Sequence, residues 1–432
     1  MALQASLVLF LCFFAMLVIG IPISIGIGLS ALVTACVVVS PDIAIFTIAQ
    51  KMVNGISSFS LLAVPLFVLS GNIMNNGGIA RRLVNLAKLL AGRIPGSLAH
   101  TNVLGNMLFG ALSGSAVAAC AAIGGTMAPL EKEEGYDDSF AAAVNIASCA
   151  TGMLIPPSGV LILYALTAGG VSISALFMAG YLPGILMGLA VMVVAFVYAK
   201  KKNYPVTPRV KFSEAVKIVL DSLPSLLLIV VVIGGIVFGA FTATEGAAVS
   251  VAYTLILSFI YKSITFKQFI QIILKTAHTT GIIMFLVAAS SAMSWVMAYT
   301  GIPVAISNLI MSVSSNKYVI MLIMNITLLI VGTFMDLTPA CLIFTPIFFP
   351  IAMQIGMDPV HFGIMLVFNL CIGIMTPPVG SVLFVGCGVG GVTIEKVLKP
   401  LIPFFIALIA VLLIITYIPA ISLVLPKLIG LI

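Results

Sequence analysis

Apolar runs, interrupted by single glycines and prolines and by short charged loops, cover almost the whole of this chain. In the first part they occupy 3–20, 22–40, 58–76, 97–130, 138–170 and 175–199. Most of these runs match or exceed the roughly twenty residues that a helix needs to cross a hydrocarbon core. The pattern predicts an all-α polytopic membrane protein.

Two of the runs carry the same interruption. Gly152-Met153-Leu154-Ile155-Pro156-Pro157-Ser158-Gly159 and Gly373-Ile374-Met375-Thr376-Pro377-Pro378-Val379-Gly380 both read G-x-x-x-P-P-x-G, and 373 − 152 gives a spacing of 221. A Pro-Pro pair stops a helix, because neither ring nitrogen donates and each proline pushes the preceding residue out of the α region. The same shift pairs Pro129 with Pro350, Gly135 with Gly356, Asp137 with Asp358 and Gly169-Gly170-Val171 with Gly390-Gly391-Val392, giving eleven identities across 129–173. A duplicated unit is therefore expected, with two broken membrane helices in corresponding places.

Adding 221 to the early runs predicts 224–241, 243–261, 279–297 and a second broken helix over 359–391. The hairpin-like stretch 97–130 maps to 318–351, and 401–420 supplies the last helix. The expected division is 1–221 and 222–432. The first unit holds helices within 1–92, hairpin 97–130, broken helix 138–170 and helix 175–199. The second holds helices within 222–297, hairpin 318–351, broken helix 359–391 and helix 401–420.

Composition narrows the class. With 62% apolar and 7% charged residues and a mean hydropathy of +1.30, the chain is no soluble globule, whose charged fraction is near a quarter. The clearly hydrophilic stretches are 199–217 and 262–276. No Lys or Arg precedes Lys51, so the first run lacks the basic leader of a secretory signal and reads as the first membrane helix. Seven cysteines, all in apolar segments and without C-x-x-C spacing, read as buried small hydrophobes.

Charge predicts topology. Sixteen of nineteen Lys and Arg fall in five places: Arg81, Arg82, Lys88 and Arg93; Lys132; Lys200, Lys201, Lys202, Arg209, Lys211 and Lys217; Lys262, Lys267 and Lys275; Lys396 and Lys399. With these inside the cell, 97–130 must enter and leave on the cytoplasmic face and 318–351 on the outer face, so the two units are inverted and both termini lie outside. Arms of about sixteen residues rise only about 24 Å against a core of about 30 Å, which makes each stretch a re-entrant hairpin.

The hairpin midpoints are polar, Ser113-Gly114-Ser115 and Asp336-Leu337-Thr338, and Ser148 and Asn369 stand one turn before the two break glycines. A hard monovalent cation such as sodium needs several oxygens, which unwound turns and hairpin tips offer as carbonyls and hydroxyls. One site would use Ser113 and Ser115 with Gly152, Ile155 and Pro157. By symmetry a second would use Gly332, Asp336 and Thr338 with Gly373, Thr376 and Val379. Back-bonding to the parent helix is the ordinary fate of a lone membrane hydroxyl; a duplicated tip facing a duplicated break reverses that preference. Asp336 is a functional candidate as an acid in a membrane core element, with a hairpin cap near Thr338 as the rival role. Glu245, after the turn 241–244, reads as a solvated or helix-start charge.

Catalysis finds little support. His100, His278 and His361 have no metal-ligand spacing, the acids from Glu131 to Asp138 fall in a cytoplasmic turn, and no nucleophile elbow or phosphate loop occurs. The basic stretch 199–217, with an amphipathic helix near 211–221, suits anionic lipid rather than nucleic acid.

The run from Gly92-Arg93-Ile94-Pro95-Gly96-Ser97-Leu98-Ala99-His100 through Leu112-Ser113-Gly114-Ser115-Ala116-Val117-Ala118, with Ile155-Pro156-Pro157-Ser158, Phe334-Met335-Asp336 and Thr376-Pro377-Pro378-Val379-Gly380, resembles the large membrane subunit of tripartite ATP-independent periplasmic (TRAP) transporters over essentially the whole chain. The resemblance implies a sodium-coupled importer of acidic solutes such as C4-dicarboxylates, sialic acid or sugar acids, in a bacterial inner membrane. It implies two partners, a small four-helix membrane subunit and a periplasmic substrate-binding protein. It also implies elevator transport, in which hairpins and broken helices slide against a scaffold of the other helices. Sodium ligands implied by the family fall on Ser113, Ser115, Gly152, Ile155, Pro157, Gly332, Gly373, Thr376 and Val379. Asp336 and Thr338 rest on symmetry alone, and Ser148, Ser158 and Asn369 are further candidates for the solute or second site. A stand-alone sodium/carboxylate symporter, or a non-transporting scaffold subunit, are the other readings of the residues.

Overall fold

The computed structural model describes residues 2–76, 78–207 and 210–432; Arg209 of the basic stretch lies outside the described residues. The first helices are α1 (Ala2–Val18), α2 (Ile23–Val38), α3 (Pro41–Ile56), α4 (Ala63–Asn76, after a 3-10 turn at Phe59–Leu62) and α5 (Ile79–Ala91). Next come α6 (Ser97–Ser113), α7 (Ala116–Glu133), α8 (Asp138–Cys149), α9 (Gly159–Ala168) and α10 (Ile173–Lys202). The second part holds α11 (Phe212–Val237), α12 (Ala243–Ile260), α13 (Phe266–Thr300), α14 (Ile302–Val313), α15 (Lys317–Gly332) and α16 (Leu337–Gln354). It ends with α17 (Pro359–Gly373), α18 (Ser381–Gly390), α19 (Ile394–Tyr417) and α20 (Ala420–Leu428). No strand occurs among the described residues. Seven helical segments among them are long and apolar enough to cross a membrane, namely Phe59–Asn76 and helices α10, α11, α12, α13, α16 and α19.

Several expected boundaries move. Helices α3 and α5 fall where no segment was predicted, because their Asp42, Gln50, Lys51, Arg81 and Arg82 break the apolar run. The hydrophilic stretch 262–276 is not a loop: Thr265 and Gln268 form a reciprocal capping box, and α13 then continues unbroken for 35 residues where 279–297 was expected. The amphipathic segment near 211–221 is the first part of α11 rather than a separate helix. The last predicted helix, 401–420, is α19, which starts earlier, runs through Pro400 and Pro403, and is followed by α20. Glu245 completes a second capping box, with Thr242.

Helices α1–α4 pack with α11–α13, while α6–α10 pack with α15–α20; α5 lies against α6 and α11 between the two groups. In the second group the chain folds back sharply at Gly114–Ser115 and again at 333–336. Lys317 follows Ser97 by 220 residues and Ser381 follows Gly159 by 222, so both chain reversals and both interrupted helices recur in the same order. The centre of this group is formed by α8 and α17, whose residues from Phe140 to Cys149 and from Val360 to Gly373 are buried on every face. An apolar helix with no solvated stripe belongs at such a centre. The seven cysteines are free thiols, five of them buried.

Candidate functional site

The interrupted helices stop where the prolines withdraw donors. After α8 a 3-10 turn spans Ala150–Met153, and α9 starts only at Gly159. The buried Ser158 caps α9, accepting from Leu161 N, and donates across the break to Met153 O at 2.5 Å. In the second interrupted helix Val382 N donates to Ile374 O at 3.1 Å, spanning the break in the same way. Both Pro-Pro peptide bonds are cis.

Each chain reversal presses backbone against a break. A Cβ on Gly152 would stand 2.2 Å from Gly110 Cα, and one on Gly373 would stand 2.6 Å from Gly332 Cα, so all four residues must lack side chains. The first tip turns through Gly114 at φ +60, and a Cβ there would meet Pro157 O at 3.2 Å. Ala116 N donates to Met153 Sδ at 3.2 Å. At the second tip Val379 N donates to Thr333 O at 3.2 Å, and Ser381 Oγ donates to Asp336 Oδ1 at 2.8 Å.

The sequence-derived residues thus gather in two places with unequal side-chain roles. Ser113 is buried, and its hydroxyl has no hydrogen-bonding partner among the described residues, an unsatisfied polar atom at the end of α6. Ser115 caps its own helix by accepting from Ala118 N, and Thr376 back-bonds to Ile372 O at 2.7 Å, so both hydroxyls have ordinary local uses. Gly152 and Pro157 lie beside the first tip, while Ile155 packs on Gly184 of α10; Gly332, Gly373 and Val379 lie at the second. Asp336 sits at the N-cap position of α16 without bonding that helix; its carboxylate reaches to α18 instead, so the rival capping role is not adopted. Thr338 is half-buried in the first turn of α16.

Ser148 and Asn369 are each the inner end of a buried chain of hydrogen bonds. Asn106 Nδ2 approaches Ser148 Oγ at 2.8 Å, Asn145 Oδ1 at 3.0 Å and Asn102 Oδ1 at 2.8 Å, and Asn102 Nδ2 donates to Glu131 Oε1 at 3.2 Å. In the second half Asn369 Nδ2 donates to Asn325 Oδ1 at 2.9 Å, Asn325 Nδ2 to Thr416 Oγ1 at 3.1 Å, and His361 lies between Thr416 O and Ser422 Oγ. Sequence reasoning missed Asn102, Asn106, Asn145 and Asn325, isolated amides whose partners lie mostly on other helices, and it placed Glu131 in a cytoplasmic turn; Glu131 is instead buried in the last turn of α7, where packing against α6 brings Asn102 onto it. Burial pushes the Glu131 carboxyl up to about 7, with the Asn102 hydrogen bond opposing the shift.

The chain has relatives along almost its whole length. Over 98% of its length the chain is 55% identical to the protein YgiK of Salmonella typhimurium, of which 97% is covered. It is 38% identical to the sialic acid TRAP transporter large permease protein SiaM of Vibrio cholerae, over 95% of each chain. Among solved structures, the YdaH transporter of Alcanivorax borkumensis superposes with a TM-score of 0.64 at 13% identity, covering 86% of this chain and 88% of that one, which is a likeness of fold alone. The family described as tripartite ATP-independent periplasmic transporter, DctM component, matches residues 10–421. By that match and the full-length identity to a TRAP large permease, the chain belongs to the DctM family of TRAP transporter membrane subunits.

Proposed function

We infer that this chain is the large transport subunit of a sodium-coupled, receptor-dependent importer of acidic solutes. The observation that carries the reading is the seating of each hairpin tip, backbone to backbone, against a break in a buried helix, with the partnerless Ser113 hydroxyl at the first. Sodium at the first tip takes oxygens from Ser113, Ser115, Gly152, Ile155 and Pro157. At the second tip it takes them from Gly332, Gly373, Thr376 and Val379, with Asp336 and Thr338 beside them. Carbonyls at an interrupted helix and a hairpin tip keep lone pairs for a cation, and sodium held by both orders each tip against its break. The solute carboxylate then docks between the tips on half-helix N-termini, where N–H groups and the helix dipole favour an anion.

The group α6–α10 with α15–α20 moves as one loaded body past α1–α4 with α11–α13, an elevator step. The two halves of the chain, 1–221 and 222–432, are inverted in the membrane, with Arg81, Lys132, Lys200 and Lys396 marking the cytoplasmic side and both termini outside. A periplasmic receptor hands over the solute, and a small four-helix subunit completes the complex in the bacterial inner membrane. SiaM names sialic acid for a relative; sialic acid, C4-dicarboxylates and sugar acids are the solutes to try first. Membership of the tripartite family disfavours a stand-alone symporter.

Uptake into proteoliposomes holding this chain, its small subunit and its receptor is expected to require an inward sodium gradient. Full uptake under a proton gradient without sodium overturns the coupling. Ser113→Ala is expected to raise half-saturating sodium about fivefold, the value of roughly one hydrogen-bond-sized contact of about 1 kcal/mol. An unchanged sodium dependence removes Ser113 from the site.

A further inference from the structure

Beneath the first tip, on the side carrying the acids 131–138, a cavity of about 360 Å³ lies between α6, α7, α8 and α18. Asn102, Glu131, Lys132, Asp138 and Asn145 supply its polar wall, and glycines of α7 and α18 line much of the rest. Glu131 is 2% exposed, and among the described residues its carboxylate has one hydrogen-bonding partner, Asn102, and no paired cation. Asn102 and Asn106 continue from it as an unbroken relay to Ser148, one turn before the Gly152 break.

We propose that Glu131 is a proton-binding site of the moving body, filled from the cytoplasm through this cavity, whose occupancy weakens sodium at the first tip. The sodium half rests on the function proposed above; the proton site does not.

Its setting supports this role. The Glu131 carboxyl is buried yet borders the cavity. With a proton on Oε2, Oε1 remains the acceptor for Asn102 Nδ2, so the bonds onward through Asn106 to Ser148 and Asn145 are kept in both states. The charge balance agrees. Lys132 and Asp138 line the cavity, and Glu134 and Tyr136 lie in the adjoining turn. The α18 lining brings no charge, and His100 on α6 lies near Phe196. The pressure toward the neutral acid is therefore mostly burial, with the carboxyl titrating near neutral pH. An ionised Glu131 attracts a cation at the tip; protonation removes that attraction.

The full complex in nanodiscs tests the site. Its infrared spectrum is expected to show a carboxylic-acid carbonyl band that titrates near neutral pH and is missing in Glu131→Gln. A wild-type spectrum without such a band overturns the proton site. In proteoliposomes, half-saturating sodium is expected to be about threefold higher with the cytoplasmic side at pH 6 than at pH 8.5, from a charge acting through a partly screened interior. Glu131→Gln is expected to flatten this response. Asn106→Leu, which cuts the relay but leaves Glu131 in place, is expected to weaken the response while keeping the band. An identical pH response in wild type and Glu131→Gln overturns the link. Uptake that ignores sodium at every pH sinks the sodium reading and the link together, whereas the band stands or falls on Glu131 alone.

Discussion

Gly152→Ala is expected to lower sodium-driven uptake more than tenfold while the complex still assembles. The added Cβ would lie 2.2 Å from Gly110 Cα, 2.6 Å from its carbonyl carbon and 3.0 Å from its oxygen. These are main-chain atoms of a helix, so no side chain can swing away. Relief requires the tip of α6 to retreat from the break, and overpacking of this kind costs about 1–3 kcal/mol. A retreat also parts Gly114 from Pro157, spoiling the pocket rather than only its stability. Gly373→Ala is the counterpart at the second tip, with Gly332 Cα at 2.6 Å and its oxygen at 2.9 Å. Gly159→Ala is the control: it is the other glycine of the same motif, yet a Cβ there meets nothing within 4 Å, and near-normal uptake is expected. Uptake assays with the amount of assembled complex measured in parallel decide the matter. Full activity in Gly152→Ala would show that the backbone contact is dispensable.

That contrast within one motif shows what the sequence carried and what it did not. Paired prolines announce a stopped helix wherever they occur, so both breaks were legible, as were the first chain reversal, from its small residues, and the second, from its place 221 residues on. The distinction between Gly152 and Gly159 was not, because it depends on which backbone stands opposite. The same holds for Ser113 and Ser115. Their identities are equal, but Ser115 has extended backbone angles that let its hydroxyl accept from Ala118 N, whereas the Ser113 hydroxyl at the end of α6 has no hydrogen-bonding partner among the described residues. Helices α3, α5 and the start of α13 were lost for another reason. Hydropathy finds uninterrupted apolar runs, and these segments bear charged or amide side chains; α3 and α5 have no side-chain cap and are held by packing on their neighbours, whereas α13 starts at a capping box. The Asn102, Asn106 and Asn145 chain joins residues of two helices, each unremarkable alone; only packing α6 on α8 brings them together.

Asp336→Ala is expected to raise half-saturating sodium by at least about tenfold, more than any single hydroxyl at either tip. A carboxylate 6–8 Å from a cation at an effective dielectric constant near 20 attracts it by about 2–3 kcal/mol. Asp336 is exposed, so solvent screens part of this and the lower end applies. Its position favours a functional charge over a structural one. An acid at an N-cap ordinarily bonds the first amides of its own helix, yet Asp336 makes no such bond and is held by Ser381 at the start of the other half-helix. The carboxylate therefore ties hairpin to break, and sodium beside it would tighten that tie. Asp336→Asn separates charge from hydrogen bonding, since the amide oxygen can still accept from Ser381. If charge acts, the Asn variant resembles the Ala variant in sodium dependence and keeps more of the thermal stability. A wild-type sodium dependence in Asp336→Asn would leave Asp336 only its bond to Ser381, and the second tip would then depend on carbonyl and hydroxyl oxygens alone.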